Sequence, residues 1–352
     1  MPEIEAALLS SIEQLVERSV GARPPLQLEE ILGGASQRRF FRVSGVPSVE
    51  SVVVMYVPVQ SHEIAKASPS SPKWPFLEVR ELLEERGIRV PKLYATACEQ
   101  GLIVVEDLGE TLAQYLQHVP EARERLYVEA VRGLASAQRA LWPLPAGSVV
   151  LGRAFDEELL LWEIEHFREW ALHARGLTLL DEDARTFEAA ARYLAHTISE
   201  FARGFVHRDY QSRNLMVVSD GARIELGWVD FQDAMLGPRV YDLVALLNDS
   251  YQAFSPEFVR ARLADFSAEL ELSESERARL AREFQLVTVQ RKLKDAGRFV
   301  FFERKNNNPN FLPFVKPTIR KAQFALDLLL EEPTLAALRE LLDRLFPRSQ
   351  DA

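Results

Sequence analysis

The sequence predicts an α+β fold in two unequal parts: a small antiparallel β-sheet within residues 1–107, then a mainly helical part over 108–352. Three observations carry this expectation. β-prone runs at 26–32, 39–44, 51–58, 91–94 and 101–105 crowd into the first hundred residues, separated by turn residues. From Glu121 onward the apolar residues recur mostly at helical spacing. A single hairpin interrupts the helical part, at 214–219 and 224–231, with Asp220-Gly221 as its turn signal. A chain of 352 residues can bury a sizeable core, as one large domain or as two lobes.

Taken in order, Ala7, Leu8, Ile12 and Leu15 stand at helical spacing and predict an amphipathic first helix. The first two strands are joined by Gly33-Gly34-Ala35-Ser36-Gln37-Arg38. Small residues there let backbone N–H groups approach phosphate oxygens, although Gly-Gly serves equally as a plain hairpin turn. Arg38, Arg39 and Arg42 add positive charge, of use to phosphates and equally at home on a solvated strand. The Ser/Pro-rich stretch 67–72 reads as a flexible loop. Phe76, Val79, Leu82 and Leu83 mark one face of a helix over 76–86, ended by Gly87. The strand at 101–105 runs out into Glu106-Asp107-Leu108-Gly109 and a helix at 111–117. Further helices are expected at 126–141, 155–174 and 186–201, the second with a core stripe of Trp162, Ile164, Phe167 and Trp170. Beyond the hairpin a helix begins near Arg239, followed by others at 256–272, 274–302, 316–330 and 334–345.

The chemistry concentrates in His207-Arg208-Asp209-Tyr210-Gln211-Ser212-Arg213-Asn214 and in Val229-Asp230-Phe231-Gln232-Asp233. An H-R-D-x-x-x-x-N loop followed by a D-F element is the pairing of catalytic loop and metal aspartate that kinases use. Asp209 would accept the proton of an attacking hydroxyl. Folding back at Asp220-Gly221 returns Asp230 to the hairpin end that carries Asn214, so two hard oxygen ligands suit Mg2+ on nucleotide phosphates. Kinases also place a phosphate-pairing lysine on the third strand. Here that strand reads Val52-Val53-Val54-Met55-Tyr56, so either an arginine near the first turn supplies the charge or the apparatus is impaired. Asp230 to Arg239 leaves no room for a protein kinase's activation segment, which points to a small-molecule acceptor. Asp242 reads as a buried brace for the catalytic loop. Arg291 and Lys294 share a helix face in a basic stretch. They would bind an acidic substrate or reach the catalytic cleft, or simply form a solvated helix face.

Composition narrows the classes. Net charge is −10 with acidic residues spread along the chain, so there is no nucleic-acid footprint. One cysteine, Cys98, permits no intramolecular disulfide and suits a reducing cytoplasm. The six histidines lack the spacing of a zinc site. The acidic N-terminus is no signal peptide, and no apolar run is long enough to span a membrane.

These residues together resemble the aminoglycoside phosphotransferase and choline kinase superfamily, and within it the bacterial anomeric kinases of N-acetylmuramate and N-acetylglucosamine. The likeness rests on Ala35-Ser36 with Arg38-Arg39-Phe40-Phe41-Arg42, on Val54-Met55, and on Glu106-Asp107-Leu108-Gly109. It continues through Val206-His207-Arg208-Asp209-Tyr210 with Arg213-Asn214-Leu215-Met216, the 230–234 stretch, Gly237-Pro238 with Tyr241-Asp242, and Gln290-Arg291 with Leu293-Lys294, while Gln211-Ser212 departs from the group. That group also has methionine in place of the strand lysine. The resemblance implies a two-lobed protein-kinase-like fold that uses ATP and Mg2+, with Asp209 as base and Asn214 and Asp230 on the metal. It implies nucleotide binding by Gly33, Gly34, Ala35, Ser36, Arg38 and Arg39 at the phosphates, and by the backbone of Glu106 and Leu108 at adenine. Gln232, Asp233, Arg291 and Lys294 would lie near the acceptor, and His207 and Asp242 would support the loop. The implied reaction is phosphorylation of the anomeric hydroxyl of a cell-wall amino sugar, as in peptidoglycan recycling. An aminoglycoside- or choline-type phosphotransferase and a non-catalytic nucleotide-binding scaffold are the rival readings.

Overall fold

The structure, a computed structural model, describes residues 6–21, 25–31, 37–46, 49–58, 73–219 and 224–348. Gly33, Gly34, Ala35 and Ser36, the 67–72 stretch and the Asp220-Gly221 turn lie outside the described residues. By contacts the chain divides into two compact units: Met1–His118 with Arg213–Gln232, and Val119–Ser212 with Asp233–Ala352. The sequence expectation placed a boundary at 107/108. The first unit also takes in 108–118 and the hairpin, because Trp228 N–H donates to the Arg89 carbonyl at 2.8 Å and Val217 N–H to that of Glu110 at 2.9 Å.

The first unit is built on an antiparallel five-stranded sheet in the order β1-β2-β3-β5-β4. Its strands are β1 (Gln27–Ile31), β2 (Arg39–Ser44), β3 (Ser51–Tyr56), β4 (Leu93–Ala97) and β5 (Leu102–Glu106). Alternation along β3 sends Val52 and Val54 to one face and Val53 and Met55 to the other. The first face packs with Phe41, Val43, Leu102 and Val104 against Ile12, Leu15 and Val16 of α1 (Ala6–Val20). On the second face Met55, Val57, Ile103 and Val105 meet Phe40, Trp74, Phe76 and Leu77, the last two from α2 (Pro75–Glu85). Trp74-Pro75 opens α2, since proline at the first helical position loses no needed N–H. After α3 (Leu112–His118) the unit is completed by the hairpin of β7 (Leu215–Ser219) and β8 (Ile224–Trp228).

The second unit is mainly helical, with α4 (Arg123–Ala140), α5 (Glu157–His166), α6 (Asp181–Ser199), α7 (Tyr241–Leu247), α8 (Pro256–Glu269), α9 (Glu274–Asn306), α10 (Val315–Leu326) and α11 (Pro333–Leu345). The long α9 opens with a capping box, Ser273 and Glu276 each bonding the other's backbone. Its middle is buried, with Leu286, Val287, Val289 and Leu293 fully enclosed. Two short strands, β6 (Arg203–Val206) and β9 (Met235–Pro238), pair antiparallel on either side of the catalytic residues in sequence.

The helix expected over 155–174 differs in detail. It is α-helical to His166 and then π-helical over Phe167–Leu172. Beside this wider turn stands Gly297 of α9, where a Cβ would lie 2.3 Å from the His166 carbonyl oxygen. The helix backbones touch there, and only glycine permits it.

Candidate active site

In the second unit β6 delivers the chain into the catalytic loop, and the first residue of α7 but one holds it. Asp242, fully buried, accepts the His207 N–H at 2.6 Å on one carboxylate oxygen and the Arg208 N–H at 2.9 Å on the other. Burial pushes its carboxyl up to about 7, against the pull of those two amides and of Arg291. The bidentate clamp imposes an unusual backbone on Arg208, whose φ is +80°. Tyr210, also enclosed, donates its hydroxyl to the Ala130 carbonyl at 2.9 Å, and Ser212 donates to Asp249 at 3.1 Å. His207 is fully buried, its ring edge-on to Tyr210.

Asp209 sits where these restraints converge, with 43% of its side chain exposed. Arg291, only 1% exposed, donates from Nη1 to the Arg208 carbonyl at 2.8 Å and from Nη2 to Asp209 Oδ1 at 3.4 Å. Its guanidinium also lies 4.9 Å over the Tyr241 ring. Burial pushes the Asp209 carboxyl up, but Arg291, Lys294 and Arg208 outweigh it and hold it below its ordinary value. Lys294 is paired with Asp295 at 3.0 Å, and both are largely enclosed. The basic stretch of α9 is therefore no solvated face. It points its charge at the base.

Sequence reasoning missed one member of this cluster. Glu163, 1% exposed, accepts from Arg208 Nη2 at 3.1 Å and from Gln290 Nε2 at 3.0 Å. A lone glutamate on a helix carries no local sign of such a role, although its position inside an apolar stripe is an available hint. Asp233 is half-buried, and its charge is felt by Arg208.

In the first unit the register Leu215↔Trp228 sets Asn214 opposite Val229, whose N–H donates to the Asn214 carbonyl at 3.1 Å. Asp230 follows at once, with φ +64° and a side chain 40% exposed. Its Oδ1 receives Arg38 Nη1 at 3.2 Å and Gln232 Nε2 at 3.0 Å. Gln232, expected near an acceptor, thus donates its amide to the Asp230 carboxylate. Phe231 is fully buried and stacked on Phe76 at 5.2 Å. Arg39 does not join Arg38: strand alternation turns it to the other face, where it grips Glu30 at 2.7 and 3.0 Å. The Glu106 carboxylate is held by Arg89 at 2.7 and 2.8 Å, and its N–H by the Lys92 carbonyl at 2.9 Å. Leu108 is 7% exposed, next to Gly227, where a Cβ would come within 2.7 Å of Leu108 Cδ1.

The donor set fits Mg2+. One carboxylate and one carboxamide are oxygen ligands, and Mg2+ in nucleotide sites takes one or two protein ligands with phosphates and water. Among the described residues no group of three His, Cys, Asp or Glu side chains forms a closed metal cage.

Comparison with known proteins agrees with this geometry. Residues 27–282 match the family model described as the phosphotransferase enzyme family. The chain is 31% identical to the N-acetylmuramate/N-acetylglucosamine kinase of Pseudomonas aeruginosa over 97% of its own length and 94% of that protein. It is 28% identical to the enzyme of the same description from Pseudomonas putida over 92% and 90%. Among solved structures, an ADP-bound aminoglycoside phosphotransferase superposes with TM-score 0.61 at 16% identity, covering 96% of this chain and 99% of that one. A choline kinase from Streptococcus pneumoniae gives 0.58 at 14%, covering 93% and 99%. The sheet-plus-helix architecture is thus a kinase-like fold, as its sequence led one to expect, and the chain belongs to the phosphotransferase enzyme family.

Proposed function

We propose that the protein is an ATP-dependent, Mg2+-requiring kinase that phosphorylates the anomeric hydroxyl of N-acetylmuramate, N-acetylglucosamine or both. The observation that carries this reading is the state of Asp209: open at its carboxylate, yet fixed by buried groups and kept ionised by Arg291. Such a carboxylate is a positioned but weak general base. An anomeric hydroxyl is more acidic than an ordinary alcohol, so it makes modest demands on that base. The likeness to the two Pseudomonas kinases supports an amino-sugar acceptor.

Roles follow the two units. Asn214 and Asp230 hold Mg2+ with the nucleotide phosphates, and the backbone near Glu106 and Leu108 meets adenine. Mg2+ supplies neutralisation of the charge that builds on the phosphate oxygens. Asp209, four intervening residues before Asn214 in the chain, takes the proton of the acceptor hydroxyl as its oxygen attacks the γ-phosphorus and ADP leaves. The cations Arg291 and Lys294 near Asp209 disfavour a polycationic drug or choline as acceptor.

Phosphorus NMR tests this, with Mg·ATP and a panel of N-acetylmuramate, N-acetylglucosamine, plain hexoses, choline and an aminoglycoside. A sugar 1-phosphate resonance is expected with the first two sugars, with a rate lower by about 10²–10⁴-fold in Asp209→Asn. Phosphorylated choline or aminoglycoside would move the acceptor assignment. ATP binding without any product would favour a nucleotide-binding scaffold.

A further inference from the structure

Kinase chemistry needs a cation on the nucleotide phosphates, and the third strand of this chain offers Met55 where that cation would stand. Met55 is 2% exposed, packed with the apolar side chains of Val57, Ile103, Val105, Phe40 and Phe76. Its cross-strand partner is Phe40. Side chains two apart on a strand share a face, so Arg38 lies on the face of Phe40 and Met55, one step beyond the end of β2. Continuing the register beyond Arg39↔Tyr56 sets it across from Val57. Arg38 is 9% exposed and its Nη1 is 3.2 Å from Asp230 Oδ1, the carboxylate that would carry the metal.

We propose that Arg38 takes over the part of the missing strand lysine, presenting a buried guanidinium to the nucleotide phosphates beside Asp230. This rests on the ATP-dependent reading above. Three features favour arginine in the part. Its whole side chain extends further than that of lysine, so from the neighbouring strand it can serve the same face of the sheet. Its planar fork suits phosphate oxygens, where an ammonium acts only as a point charge. Its contact with Asp230 at 3.2 Å places the guanidinium beside the carboxylate that would carry the metal, whose Oδ1 also receives Gln232 Nε2 at 3.0 Å. The sequence position of the charge has moved from β3 to the edge of β2, while its face of the sheet has not.

The test is equilibrium binding of ATP by titration calorimetry, with Mg2+ and with EDTA. The proteins are wild type, Arg38→Met, Arg38→Lys and the double variant Arg38→Met/Met55→Lys, with urea unfolding to confirm that each is folded. Arg38→Met is expected to weaken ATP at least tenfold in both conditions, because the contact is to phosphate and not through the metal. Arg38→Lys should retain part of the affinity, and Met55→Lys should restore part of it in the Arg38→Met background. Should the double variant fail to fold, the ordering of wild type, Arg38→Lys and Arg38→Met decides. Arg38→Met that binds ATP within twofold of wild type overturns the proposal and leaves Arg38 as a structural clasp on Asp230. Wild-type protein that binds no ATP in either condition overturns the kinase reading itself, and the proposal with it.

Discussion

Arg291 bears on the reaction without a place among the reactants. It is enclosed, bonds the Arg208 carbonyl, and sets a positive charge 3.4 Å from Asp209. A nearby cation favours the carboxylate form, and burial opposes it. Replacing Arg291 with Gln keeps a donor for the Arg208 carbonyl and removes the charge. Asp209 then holds its proton to higher pH, so the active, ionised base is lost sooner as pH falls. The acid limb of kcat/KM is expected to move to higher pH. A limb that stays in place while stability drops would reduce Arg291 to a packing role. Loss of the enclosed guanidinium also lowers folding stability, measurable by urea unfolding, while the exposure of Asp209 to water softens that loss. Asp242 works by a different means, since both its oxygens are spent on backbone N–H groups. It fixes the loop's path and leaves the charge on Asp209 to α9.

At the level of elements, the register of β7 and β8 sets Asn214 opposite Val229, one residue before Asp230, and Gly227 sets the pair against Leu108. An alanine at 227 places a methyl 2.7 Å from Leu108 Cδ1 and 3.4 Å from a Val218 methyl. The leucine must move. The expected cost is about 1 kcal/mol of stability. If Leu108 lines the adenine site, KM for ATP rises several-fold while KM for the sugar holds. Equal changes in both would separate Leu108 from adenine. The local spacing that picks out Asp209, Asn214 and Asp230 in sequence goes with these same elements: a short loop, then two strands paired in one register, Leu215 opposite Trp228. The pairings that complete the site lack such a local cause. Gln290 reaches Glu163 across 127 residues, and a helical glutamate looks the same in sequence whether it is solvated or enclosed. The strands Arg203–Val206 and Met235–Pro238 are four residues each, too short for alternation to declare itself. The π-turn at Phe167–Leu172 depends on a glycine in another helix, which no window on that segment contains.

Taken whole, the molecule is an acidic protein, with net charge −10, that must hold an anionic nucleotide. It does so with local cations, and by the reading above with a metal that arrives with the phosphates. None of the helices among the described residues is long and apolar enough to cross a membrane. Two protein oxygens from Asn214 and Asp230 are too few to retain Mg2+ without phosphate oxygens and water to complete its octahedron. Chelation should therefore leave the melting of the nucleotide-free protein unchanged. ATP with excess Mg2+ behaves otherwise, because a ligand that binds only the folded state stabilises it by an amount set by its concentration over Kd. At a hundredfold excess over Kd that is about 2.7 kcal/mol, seen as a higher Tm of the unit that carries Asp230. EDTA should remove the metal-dependent part of that gain, and in Asp230→Asn the gain should become nearly independent of Mg2+. A fall in Tm on adding EDTA to the nucleotide-free protein would instead mean a resident structural metal. Equal stabilisation by ATP with and without Mg2+ in the wild type would remove Asp230 from the metal and leave it as a partner of Arg38 and Gln232.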